Sequence, residues 1–159
     1  MSYWKARSQA FHHGVHGALR YTEEGLRREG KIKGEFMIDD LVIETVIGCV
    51  IEVHRNLGPG LLESTYEHCL MYELAQKGIY AENQVQLPIQ YKNVNIEAGY
   101  RLDVLLPGEL IIELKSVEKL APIHTAQMLT YLKLAKIKTG LLINFNEKRV
   151  IEGLKRISL

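Results

Sequence analysis

Asp103, Glu113 and Lys115 stand in the stretch GYRLDVLLPGELIIELKSV, residues 99–117, which otherwise reads as two apolar strands around a Pro-Gly turn. Leu, Ile or Val would pack better at those three places, so the charges call for a reason beyond packing. Two carboxylates brought together in a partly dry cleft repel each other, and one then tends to hold a proton. A divalent cation removes that conflict, and hard oxygen ligands suit magnesium or manganese. Such an ion can activate water and stabilise charge on a phosphoryl oxygen. Lys115 would orient or deprotonate that water, or steady the charge of the transition state. The plainer alternative is a solvated Glu-x-Lys pair worth under about 1 kcal/mol.

Whether the carboxylates meet depends on strand register. Side chains alternate across a strand, so Glu113 and Lys115 share one face while Ile112 and Leu114 point to the other. Asp103 shares its face with Arg101 and Leu105. Cross-strand partners point the same way. A three-residue loop at Pro107-Gly108-Glu109, or a bulge, would pair 103 with 113. A two-residue loop would pair 103 with 112 and put the carboxylates on opposite faces.

The surrounding pattern supplies the elements that must hold these strands. DDLVIETVIGCVIEVHRNLG has helical spacing, with Asp39 or Asp40 as N-cap and Gly58 as the stop. LLESTYEHCLMYELAQKG predicts a second helix that ends at Gly78. The period then changes to two: QVQLPIQYKN and VNIEAGYRLDVLL read as a hairpin about Lys92-Asn93, with Pro88 favouring an edge. ELIIELKSV is a third strand, and Pro122 opens a third helix, PIHTAQMLTYLKLAK. LLINF is wholly apolar, as a strand buried on both faces would be. Residues 147–157 form a basic tail of no clear shape. The order helix, helix, three-stranded meander, helix, strand implies an α/β (α+β) domain with a mixed sheet of about four strands covered by helices.

Composition fits one globular domain: 159 residues, 47% apolar and 25% charged. Residues 1–37 are glycine-bearing and charged, and read as a flexible arm ahead of a domain at 38–159. In the arm, His12 and His16 have metal-ligand spacing, but Gly14 and Gly17 weaken a helix there. The arm carries +3 and the domain −2, which argues against tight, unspecific binding of phosphates. Basic residues cluster at Lys133, Lys136 and Lys138, and again at Lys148, Arg149, Lys155 and Arg156. Cys49 and Cys69 form no metal or redox motif and read as buried thiols. No run approaches the roughly 18 apolar residues of a membrane span, and no secretion signal is evident. A cytoplasmic protein that does not bind membranes is expected.

Several motifs, in order and spacing, make the chain resemble the PD-(D/E)XK nuclease superfamily, and within it the GxxExxY proteins. They are Gly60-Leu61-Leu62-Glu63-Ser64-Thr65-Tyr66, IEVHRNLGPGLLES, ELKSVEKLAPIHTAQMLTYLKL and GLLINFN. The resemblance runs from about Ile38 to Ile157. It implies a restriction-endonuclease-like core with an additional N-terminal helix. It implies a nuclease that uses Mg²⁺ or Mn²⁺ on nucleic acid, DNA before RNA. Asp103 would be the acidic ligand of the second core strand, with Glu113 and Lys115 as the (D/E)XK pair. The carbonyl of Leu114 and the carboxylate of Glu63 would add to the metal site, and Gln127 would help to organise it. Leu102 replaces the proline of the superfamily's name. Tyr66 and Tyr131 would bond site carboxylates, stack on a base, or simply anchor helices. Arg101 would touch phosphate or pair with Asp103, and His124 lies close enough in sequence to take part. His54 and Arg55 read first as helix-end caps. A homodimer would serve a cut of both duplex strands. The rival reading is a non-catalytic binding or adaptor module on the same fold.

Overall fold

The computed structural model describes residues 40–96 and 99–159. The arm, with His12 and His16, and the Asp39 cap lie outside the described residues. Helix α1 spans Asp40–Leu57 and α2 spans Glu63–Gln76. Val42, Ile43, Val46, Cys49, Val50 and Val53 recur at helical spacing and are the buried stripe of α1. Gly58, at φ +67°, stops that helix where a side chain would be strained.

Five strands form the main sheet: β1 (Glu82–Gln86), β4 (Arg101–Leu106), β5 (Leu110–Lys115), β6 (Thr139–Asn144) and β7 (Leu154–Ser158), side by side in that order. Neighbours are antiparallel except β5 and β6, which are parallel and joined by α3 (Pro122–Ala135). The sheet is mixed and flanked by helices, as expected. Its β6 strand is buried at every position.

Two expectations about strands are corrected. The segment around Pro88 is two strands, because proline has no N–H to continue a ladder. Before it, β1 pairs with β4; after it, β2 (Ile89–Tyr91) and β3 (Val94–Ile96) make a separate hairpin about Lys92-Asn93. The basic tail is the second correction. It holds a 3₁₀ turn at Val150–Gly153 and the edge strand β7, whose exposed Lys155 and Arg156 hid its strand pattern.

Two apolar clusters sandwich the sheet. One unites the α1 stripe, Tyr66, Leu70 and Leu74 of α2, and Ile112, Leu114, Leu141, Ile143 and Phe145. The other lies under α3 and joins Met128, Tyr131 and Leu132 to Leu102, Ile111 and Leu142. Gly140 lets α3 come close, because a Cβ there would run into Met128. Cys49 is buried, Cys69 is half-buried, and both are free thiols. No helix among the described residues is long and apolar enough to cross a membrane.

Candidate active site

The β4–β5 register decides the question that spacing left open. Leu106 pairs with Leu110, Leu105 with Ile111 and Val104 with Ile112. The connecting loop is therefore Pro107-Gly108-Glu109, with Gly108 at φ +76°. Carried one step further, the same register would set Asp103 against Glu113, whose carboxyl feels the Asp103 charge. There the ladder lapses. The N–H of Leu114 donates to Asp103 Oδ2 at 2.8 Å. On the other side of β4, Asn83 pairs with Val104 and Val85 with Leu102, while Gln84 between them takes φ +53°. Leu102 packs under α3, yet Val104, two residues on, packs under α1 and α2. The strand thus changes phase around Asp103 without a shift of register.

Glu113 is 3% exposed. Its Oε1 accepts from Lys115 Nζ at 2.7 Å. Its Oε2 is buried and has no hydrogen-bond partner among the described residues. Burial and then the charge of Asp103 push Glu113 up to about 7, against the opposing pull of Lys115. Asp103 is also raised, first by burial, with Glu67 and Glu63 adding and the Leu114 N–H and Lys115 opposing. Burial lowers Lys115, but the hydrogen bond and charge of Glu113 outweigh it, so the ammonium is held above its usual range.

Glu63 is the first residue of α2. Its Oε1 accepts from the N–H of Ser116 at 3.0 Å, just beyond Lys115. Ser116 Oγ donates to the Leu61 carbonyl at 2.6 Å, which ties the end of β5 to the loop before α2. The side chain of Asn144 holds both the N–H and the carbonyl of Val117, from the end of β6. The strand that carries Glu113 and Lys115 is thus anchored on two sides.

Not every candidate arrives at the carboxylates. Tyr66 is buried, stacks on Phe145 with ring centroids 4.3 Å apart, donates to Gly58 O and accepts from Leu61 N–H. It braces the GxxExxY loop and has no surface for a base. His124 Nδ1 accepts from Ala121 N–H at the start of its own helix. Arg101 is exposed and forms no ion pair with Asp103 among the described residues. His54 Nε2 bonds to Glu147 O, and Arg55 pairs with Glu52 on the surface. Gln127 does not bond the carboxylates; its Nε2 donates to the Tyr131 hydroxyl at 2.6 Å. Tyr131 is nearer the centre: burial and then the charge of Glu113 raise its phenol.

Sequence reasoning missed Glu67. It is buried, and its two oxygens accept from Asn83 Nδ2 at 2.7 Å and Gln84 Nε2 at 2.6 Å. It thereby grips β1 at the residue that faces the phase change of β4. The available signal was its place one helical turn after Glu63.

A family model for the PD-(D/E)XK nuclease superfamily matches residues 40–157. The chain belongs to that superfamily. No curated protein and no solved structure matches it. Within the matched span, the structure brings together the charges of Asp103, Glu113 and Lys115. Their chemistry suits a hard divalent cation, since a buried carboxylate oxygen without a partner faces a second carboxylate. Among the described residues, no three or more His, Cys, Asp or Glu side chains converge in metal-binding geometry. A cation would therefore rest on this pair and complete its shell from main-chain or water oxygen, or after a shift of Glu63.

Proposed function

We propose that this domain is a metal-dependent nuclease that hydrolyses phosphodiester bonds of nucleic acid, DNA foremost. The observation that carries the reading is the buried, unpartnered Oε2 of Glu113 beside Asp103. A buried carboxylate oxygen without a donor costs stability, and it is kept where a ligand completes it. Asp103 and Glu113 would hold Mg²⁺ or Mn²⁺, with Glu63 and the Leu114 carbonyl as further oxygen donors. When bound, the cation neutralises the carboxylates and offsets charge on the scissile phosphate.

The other roles belong to the chain's own groups. Lys115 is held as an ammonium by its carboxylate neighbours, which favours transition-state stabilisation over proton abstraction. It can also orient the attacking water by donating to it. Glu63, through Ser116, fixes the strand end that presents Lys115. Gln127 would act through Tyr131, whose hydroxyl it holds.

The test is calorimetric titration of the full chain with Mn²⁺ and with Mg²⁺, beside the Asp103→Ala/Glu113→Ala double variant. Saturable binding in the wild type, lost in the variant, is the expected result, and metal-dependent cleavage of DNA should disappear with it. A folded wild type that binds neither ion, with nucleic acid present or absent, would overturn the catalytic reading and leave the adaptor module.

A further inference from the structure

A groove of about 390 Å³ runs along α3 on the hairpin side of the molecule. Its floor is one stripe of the helix, which includes Ile123, Gln127 and Tyr131, and its wall is Ile89 and Tyr100. Met128 and Leu132, with the largely buried Tyr131 at the boundary between the two sides of α3, pack on the sheet. The volume falls within the range of small-ligand sites, which pair apolar walls with a few directed polar groups. Tyr100 is 45% exposed. Its carbonyl is fixed by the N–H of Leu87 at 2.9 Å, and its ring meets Tyr131 edge to face, with centroids 6.3 Å apart. It is an oriented, accessible aromatic surface. Gln127 gives one N–H to the Tyr131 hydroxyl. The amide oxygen and the phenol's own proton remain to meet a polar edge.

We infer that this groove is a subsite for one unpaired nucleobase of the strand whose phosphate reaches Asp103 and Glu113. The inference rests on the nuclease reading and deepens it. Tyr131 and Tyr100 link the two places: both line the groove, Tyr131 packs with Leu102 of β4 and Ile111 of β5, and Tyr100 stands three residues before Asp103, just ahead of β4. An occupant there must be joined to a phosphodiester, flat and apolar on its faces, and hydrogen-bonding along its edge. A nucleobase has all three properties. A base inside a duplex is stacked and paired and cannot enter, so the substrate class is single-stranded or locally unpaired DNA. Stacking on tyrosine needs little net positive charge, in keeping with a domain that carries −2 over residues 38–159.

The experiment compares two fluorescent strands of equal length and charge by anisotropy, with the full chain and Ca²⁺. One is oligothymidylate and the other is built wholly of abasic sugar-phosphates. The wild type should bind the thymidylate strand roughly tenfold or more tightly, the scale of one base stacked on an aromatic ring. Tyr100→Leu, on an accessible side chain, should remove most of that preference and leave the abasic affinity unchanged. Gln127→Leu should reduce the preference in part. Equal binding of the two strands by the wild type would overturn the inference, as would a Tyr100→Leu variant that weakens both alike. Mn²⁺ calorimetry on the same proteins separates this failure from that of the nuclease reading: a wild type that binds metal and cuts DNA but ignores the base keeps its function and loses the subsite.

Discussion

The two ends of the β4–β5 hairpin put one strand pair to opposite purposes. At the turn end, three backbone pairs close a ladder over Leu110, Ile111 and Ile112, all fully buried. At the other end the ladder lapses. A carboxylate accepts the N–H of Leu114, and a buried carboxylate oxygen stays without a partner. Hydrophobic burial at the closed end stabilises the strand pair well enough to hold two repelling carboxylates at the open one. A strand pair can thus be a rigid clamp at one end and a chemical site at the other, with the change made within a single residue step.

Neighbouring substitutions should separate the two ends. Glu113→Ala should cut metal-dependent cleavage by roughly 10²-fold or more, the scale for loss of a preorganised electrostatic group. The folded state should survive, as thermal unfolding would show. Ile112→Ala, one residue earlier, should do the reverse: a loss of about 2–5 kcal/mol in denaturant unfolding, with Mn²⁺ affinity of the folded protein retained. If Ile112→Ala removes metal binding and spares stability, the contrast between the ends is wrong.

A pH series sharpens the same contrast. Glu113 is raised from 4.5 to about 7 in the folded protein. An acid raised on folding adds its stability below the unfolded value and loses it as pH climbs through the folded one. The metal-free protein should therefore lose on the order of a few kcal/mol between about pH 4.5 and 7, seen as a Tm that falls with rising pH. Glu113→Gln should flatten that slope. Bound Mg²⁺ should counter it at the alkaline side, with affinity that weakens as the solution is acidified.

Tyr66→Phe removes a hydroxyl that serves both Gly58 and Leu61, and should cost about 1–2 kcal/mol by denaturant melt. Cleavage should fall only modestly, because the ring still stacks on Phe145 while the loop before Glu63 loosens. Arg156→Ala breaks an exposed pair between edge strand β7 and Asp40, and should change stability by under about 1 kcal/mol in the same melt.

Much of this was legible in the sequence because the signals were strongly periodic. The α1 stripe, the apolar β6 run and the punctuation by Gly58 and Gly78 each predict what the structure contains. The face shared by Glu113 and Lys115 followed from strand alternation alone. The three-residue loop did not, because Pro107-Gly108 is compatible with either register. Pro88 was read as an edge position inside one strand, whereas it separates two. Tyr66 and Tyr131 looked equivalent, each one turn from a polar candidate. Only packing separates them, because Tyr66 stacks on Phe145 while Tyr131 meets Tyr100 and takes the Gln127 amide. Glu67 had only its place one turn after Glu63 to mark it. Its partners, Asn83 and Gln84, approach through a β1 backbone that takes a left-handed turn at Gln84, and no periodic signal encodes that.

The N–H groups of Leu114 and Ser116 end not on a neighbouring strand but on the carboxylates of Asp103 and Glu63. Each of these acceptors is an oxygen donor that a cation would also recruit. Occupancy of the site is therefore written into the solvent exchange of two backbone protons. A cation that draws Asp103 away frees the amide of Leu114, and one that draws Glu63 frees that of Ser116. On the metal-dependent reading, the chain would carry its own isotopic gauge of which carboxylates engage an ion.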